Sequence, residues 1–142
     1  MKLVIASGYF NPLHSGHVSY LEEAKKLGDK LLVIINNDIQ VRIKGAKEFL
    51  DEKERDMIVK ALRSVDYTMI SSSHDKSVGP DLVSIRKKFP KDRMIFAKGG
   101  DRVLGNLPQS EIDACNNGSI EMVFNVGCPK VQSSSKILEK IR

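Results

Sequence analysis

Two of the three histidines in the chain, His14 and His17, stand three residues apart with Gly16 between them. Imidazoles so spaced can bind an anion, share a metal ion, or cap and pack the start of a helix. Val18, Leu21, Ala24 and Leu27 recur at three-residue steps among Glu22, Glu23, Lys25 and Lys26, which predicts a helix opening at Gly16 and stopped by Gly28. Both rings then lie at its first turn, beside free backbone N–H groups and the positive end of the dipole. That is an anion site with two added donors, placed where a phosphate would sit. Gly8 and Gly16 remove side chains where a phosphate or a base needs close approach to the backbone. No Cys, Asp or Glu stands close enough in sequence to complete a zinc shell, so no metal ligands are assigned.

The elements that must position these groups follow from apolar patterning. Leu3 to Ala6 and Leu31 to Ile35 are continuous apolar runs, and with the helix between them they form a βαβ unit. Asn11-Pro12 extends the first loop away from helical geometry. Asp51 with Glu54 resembles a capping box opening a helix whose stripe is Met57, Ile58, Ala61, Leu62 and Val65. Strands follow at 67–70, 93–97 and 120–124, with helices at 81–89, 108–114 and 136–141. The alternation predicts an α/β chain, a single Rossmann-like doubly wound domain over 1–142 with a five-stranded parallel sheet. Ligands in such sheets bind at the carboxyl ends of the strands, here beside the first. Residues 39–49 break the pattern as a basic, irregular excursion carrying Arg42, Lys44 and Lys47.

Composition narrows the partners. The 142 residues are 41% hydrophobic and 29% charged, with a net charge of +5, the balance of a globular protein that favours anions. No apolar run reaches the ~18 residues of a membrane span, and the start lacks a signal-peptide pattern. Cys115 and Cys128 lack metal or redox spacing and read as reduced thiols of a cytoplasmic protein. Aromatics at 6% supply few stacking platforms for nucleic acid. The dinucleotide fingerprint G-x-G-x-x-G and the phosphate loop G-x-x-x-x-G-K-S/T are both absent. His74, in a serine-rich loop, reads as a surface residue.

The run Gly8-Tyr9-Phe10-Asn11-Pro12-Leu13-His14-Ser15-Gly16-His17 resembles the G-x-F-D-x-x-H-x-G-H signature of the cytidylyltransferase-like nucleotidyltransferases. The resemblance continues through Tyr20-Leu21, Ala24 to Asp29, Arg55, and Ser133-Ser134-Ser135-Lys136-Ile137. Lys98-Gly99-Gly100-Asp101 and Val18 to Leu21 look most like the adenylyltransferase domain of ADP-heptose synthases, the lipopolysaccharide-core branch. Glycerol-3-phosphate cytidylyltransferases and archaeal FAD synthetases are the nearest relatives outside it.

The resemblance implies an enzyme that transfers a nucleoside monophosphate, AMP from ATP, to a sugar 1-phosphate such as heptose 1-phosphate, with release of pyrophosphate. A CTP-dependent enzyme acting on glycerol 3-phosphate, an FAD synthetase and a nucleotide-sensing module are the alternatives. His14, His17 and Lys44 carry the catalytic roles by this likeness. Gly8, Tyr9, Phe10, Asn11, Gly16, Arg55, Lys98, Gly99, Gly100, Asp101, Ser133, Ser134 and Ser135 line the nucleotide. Mg²⁺ accompanies the triphosphate, held mainly by the substrate's own oxygens and water. The family also implies a homodimer, and neither nucleic acid nor membrane is needed as a partner. Two departures stand out: Asn11 replaces the usual aspartate, and residues 127–132 lack the usual arginine and glycine, with Lys130 as a substitute charge. Read without the family, Ser133 could be only a helix cap and Lys44 only a solvated lysine.

Overall fold

The computed structural model describes residues 1–100 and 104–127. The chain runs β1 (Lys2–Gly8), α1 (Ser15–Lys25), β2 (Lys30–Ile35), α2 (Asp38–Ile43), α3 (Glu52–Lys60), β3 (Tyr67–Ile70), α4 (Gly79–Lys88), β4 (Arg93–Gly99), a 3₁₀ turn at Leu104–Asn106, α5 (Gln109–Gly118) and β5 (Glu121–Val126). All pairings are parallel, in the order β3-β2-β1-β4-β5. This is the expected five-stranded Rossmann-like sheet. The last helix and Ser133, Ser134 and Ser135 lie outside the described residues, as do Asp101, Arg102, Cys128, Lys130 and Lys136.

The period of two along each strand explains why continuous apolar runs were needed. Leu3 and Ile5 of β1, Leu32 and Ile34 of β2, and Met94 and Phe96 of β4 enter one core. There they meet Leu82 and Ile85 of α4 and Ala114 and Cys115 of α5. Their neighbours Val4, Ala6, Leu31, Val33, Ile95 and Ala97 enter the other core, against Leu21 and Ala24 of α1 and Val59 of α3. With both faces covered, β1 is buried from Leu3 to Ala6. Only its carboxyl end is left open to a ligand.

Several boundaries differ from the sequence expectation. Helix α1 begins at Ser15, with His14 itself as the N-cap. It ends at Lys25, and Gly28 has another purpose: a Cβ there would meet the Lys2 carbonyl at 2.8 Å, where the chain passes close under β1. The first half of the basic excursion is helical, because Asn37 caps α2 by accepting from the Gln40 N–H at 2.8 Å. At six residues, α2 is too short to show a period in sequence. In α3 the expected cap is present, with Asp51 Oδ1 accepting from the Glu54 N–H at 2.9 Å. Its expected stripe holds only in part: Leu62 and Val65, just past the helix, pack against the core, but Met57 is 72% exposed, and within α3 the buried residues are Arg55 and Val59. A stripe read from hydrophobicity alone cannot anticipate that an arginine faces inward. Helix α5 runs through Asn116 and Asn117 to Gly118, because Ser119 takes the left-handed cap at φ 55°.

Candidate active site

A cleft of about 920 Å³ opens over the carboxyl ends of β1, β2 and β4. Gly8, Tyr9, His14, Gly16, His17, Lys44, Lys98, Gly99 and Gly100 line it, so the structure brings most of the sequence-assigned residues together. Asn36, Lys76 and Glu111 line it as well, and the sequence reading had not assigned them. Asn36 directly follows β2 and was findable by the strand-end rule. Lys76 and Glu111 carry no local sequence signal.

The two histidines are fixed by the helix they start. The Gly16 N–H donates to Nδ1 of His14, and the His14 N–H donates to Nδ1 of His17, each at 3.1 Å. Both Nδ1 atoms are therefore acceptors. In the neutral rings the proton must sit on Nε2, which is left as a donor for a ligand. The ring centroids are 3.8 Å apart, and the edge of Phe10 packs against His17 at 5.1 Å. Burial, and then the neighbouring His14 and Lys44, push His17 down to about 4. It rests as the neutral donor.

A stability consequence follows from the sign of that shift. Between its unfolded value near 6.5 and about 4, the unfolded chain binds more protons at His17, so stability falls as pH drops through that window. A bound triphosphate reverses the local charge and should raise the midpoint. NMR titration of the assigned His17 ring is expected to give a midpoint near 4 in the free protein and a higher one with a triphosphate. A free-protein midpoint near 6.5 contradicts this environment.

Gly8 has a different reason from the one its sequence context suggested. A Cβ there would meet the Phe10 ring at 2.6 Å, so the glycine makes room for Phe10. Phe10 is 1% exposed and holds φ 50°, a left-handed conformation that costs a bulky residue roughly 1–2 kcal/mol and is offset by burial of its ring. Phe10 thus shapes the wall behind His17.

The basic segment divides. Lys44, the cap of α2, lines the cleft with its ammonium 4.1 Å above the Tyr9 ring. Arg42 instead pairs with Glu48 at 2.7 Å on the surface. Lys47 contributes its carbonyl, which accepts from Asn11 Nδ2 at 2.9 Å, while Asn11 Oδ1 accepts from the Phe49 N–H at 2.7 Å. Asn11 therefore clasps the segment that carries Lys44, and the donor half of that clasp is one an aspartate lacks. Asn11→Asp should put an anionic oxygen against the Lys47 carbonyl and loosen residues 44–49. Hydrogen exchange at the Phe49 amide is expected to accelerate roughly 2- to 10-fold, the scale of one exposed hydrogen bond. Unchanged exchange removes this role.

Arg55 is not brought to the cleft. Its side chain has no exposure, because its donors are spent on backbone and on α2. They reach the carbonyls of Tyr9 at 2.8 Å, Asn36 at 2.6 Å and Leu50 at 3.0 Å, and Asp38 Oδ1 at 2.7 Å. It ties together the loops that follow β1 and β2.

On the other side, Gly99 and Gly127 let β4 and β5 pass Tyr20, since a Cβ at either would lie within 3.0 Å of its atoms. Burial pushes the Tyr20 phenol up, and its hydroxyl donates to the Ala97 carbonyl at 2.6 Å. Gly100, at φ 59°, is open on the side where a Cβ would point. Lys98 is 8% exposed, its ammonium 3.6 Å from Glu111 Oε1 and 4.5 Å above the Phe96 ring.

Among the described residues no three His, Cys, Asp or Glu side chains gather to hold a metal ion. Glu111 is the one carboxylate among the described residues lining the cleft, and its Oε2 accepts from the Val78 N–H at 3.0 Å. One carboxylate already engaged by a backbone N–H and by Lys98 does not make a protein-held Mg²⁺ site.

The family model described as Cytidylyltransferase-like matches residues 5–139. The chain is 34% identical over 147 residues to the bifunctional protein HldE of Citrifermentans bemidjiense, covering 99% of this chain and 27% of that protein. It is 41% identical over 90 residues to the FAD synthase of Methanolacinia petrolearia, 60% of each chain. The chain thus spans about a quarter of the length of the HldE relatives it matches. The crystal structure of the lipopolysaccharide core biosynthesis protein from Thermoplasma volcanium GSS1 superposes with a TM-score of 0.70 at 27% identity, over 91% of this chain and 99% of that one.

Proposed function

The chain belongs to the cytidylyltransferase-like family of nucleotidyltransferase enzymes, and from that premise we propose that it transfers AMP from ATP to a sugar 1-phosphate such as heptose 1-phosphate. In the step, an oxygen of the acceptor phosphate forms a bond to the α-phosphorus. The bond between that phosphorus and the α–β bridging oxygen breaks, and pyrophosphate leaves with the electron pair. The acceptor is already an anionic nucleophile, so no general base is needed, and alignment and charge stabilisation carry the catalysis. The observation that carries the reading is the histidine pair, locked through both Nδ1 atoms and lining a cleft also lined by Lys44, Lys76 and Lys98. His14 and His17 would donate to the triphosphate, and Lys44 would hold phosphate oxygens as a mobile point charge. Mg²⁺ would arrive with the triphosphate.

A second reading, adenylyl transfer to the phosphate of FMN, is favoured by the FAD synthase likeness. The test is pyrophosphate release with ATP and with CTP against heptose 1-phosphate, glycerol 3-phosphate and FMN. Release with ATP and heptose 1-phosphate is expected. Release only with FMN selects the second reading, and release only with CTP and glycerol 3-phosphate overturns the adenylyl assignment. Nucleotide binding without turnover by any pair favours a sensor. A homodimer in the cytoplasm completes the proposal; light scattering of the purified chain tests the first part and fractionation the second.

A further inference from the structure

The cleft differs at its two ends, and the difference bears on the acceptor. Among the described residues, the walls at the β4–β5 end are Gly99, Gly100, Tyr20 and Val126, and the two charges there, Lys98 and Glu111, are buried and paired with each other. Beyond the ends of β2 and β3 the walls are Asn36, Lys44 and Lys76.

The loop that carries Lys76, after β3, is too polar to be held by apolar burial. A buried network holds it instead. The Asp81 carboxylate, with no exposure, accepts from the Ser71 hydroxyl and from the Ser72 N–H at 3.0 Å. Asn37 Nδ2 donates to the carbonyls of Ser71 and Ser73, both at 2.9 Å, and Gln40 Nε2 donates to that of Asp75 at 2.8 Å. The Asp75 carboxylate is occupied within the loop, accepting from the Ser77 N–H at 2.8 Å and the Ser73 hydroxyl at 3.1 Å. Residues 75 and 77 are therefore both pinned, and Lys76 projects between them from a rigid base. No ion pair involves Lys76 among the described residues, and its side chain lines the cleft.

Asn36 is fixed in the same way. It is 4% exposed, and its Nδ2 donates to Gln40 Oε1 at 3.1 Å, which settles the orientation of the amide. Oδ1 is then the amide atom left for the cleft, a preorganised acceptor that can be used only by a donor such as a hydroxyl. A cation beside a fixed hydrogen-bond acceptor suits a ligand with a phosphate next to a free hydroxyl.

We propose that Lys76 and Asn36 form the acceptor subsite, Lys76 pairing with the acceptor phosphate beside Lys44 and Asn36 Oδ1 accepting from a hydroxyl of a sugar or polyol phosphate. This rests on the nucleotidyl-transfer reading above. It makes the β2–β3 end the determinant of acceptor choice and leaves the nucleotide to the rest of the cleft.

Lys76→Met tests the first half, and loss of fold is not expected for an exposed side chain without an ion pair. With ATP and heptose 1-phosphate, the acceptor KM should rise about 10-fold, the scale of one charge-assisted hydrogen bond, with the ATP KM within about 2-fold of wild type. An unchanged acceptor KM, or a rise confined to the ATP KM, overturns it. Asn36→Ala should reduce the preference in kcat/KM for a hydroxylated acceptor over its deoxy analogue, and an unaltered preference overturns the second half. If the wild type releases pyrophosphate with no acceptor, the transfer reading fails on its own. Lys76→Met is then judged by calorimetry with inorganic phosphate: weakened binding retains the anion subsite and unchanged binding removes it.

Discussion

Replacing His17 with alanine is expected to lower kcat by roughly 10²-fold or more, the loss typical of one preorganised donor to developing charge. Its Nε2 proton is fixed by the backbone, since Nδ1 already accepts from the His14 N–H, and burial keeps the ring neutral. The donor thus needs no reorganisation when charge grows on the phosphates. Alanine also removes an interaction at the start of α1, so a second variant separates the two effects. In His17→Asn the side-chain oxygen can still accept from the His14 N–H, and the donor at the Nε2 position is gone. That variant should keep the melting temperature and still lose turnover. Near-normal kcat in His17→Asn would falsify the donor role, whatever alanine does.

The second large effect is on stability. Arg55→Lys should destabilise the fold by about 3–5 kcal/mol, the scale of two buried carbonyls left without a donor at about 1–3 kcal/mol each. Lysine has one compact ammonium in place of a planar fork. It cannot reach three carbonyls from separate loops and the Asp38 carboxylate together. What remains is carbonyls beneath the cleft left without a donor. For a chain of this size the melting temperature should fall by on the order of 10 °C. A shift of only a degree or two, measured by circular dichroism, removes the argument that Arg55 braces the β1 and β2 loops.

These expectations also reassign the excess of positive charge. Read along the sequence, Arg42, Lys44, Lys47, Arg55 and Lys98 all appeared to face a phosphate-rich ligand. In the fold only Lys44 and Lys98 of these line the cleft, and Lys76 joins them. Arg42 is neutralised at the surface by Glu48, and Arg55 braces the loops. Lys130 and Lys136 lie outside the described residues, as do the serines 133–135. Charge near a site in sequence is not charge in the site.

What the sequence determined by itself is what depends on neighbours along the chain. Continuous apolar runs dictated strands buried on both faces, and the alternation with helices dictated parallel pairing. The placing of His14, Gly16 and His17 where the first strand turns into a helix set both rings at the first turn of α1, because a helix start needs only a few consecutive residues. The tertiary structure decided everything that joins distant segments. It closed Asn11 onto Lys47 and Phe49 and turned Arg55 inward. It also brought Lys76, from the loop after β3, and Glu111, from the first turn of α5, to the cleft from segments that carry no motif. The physical reason is that local patterning specifies which face of an element is buried. Which polar groups then find one another depends on how those faces pack, and those contacts span up to dozens of residues of chain.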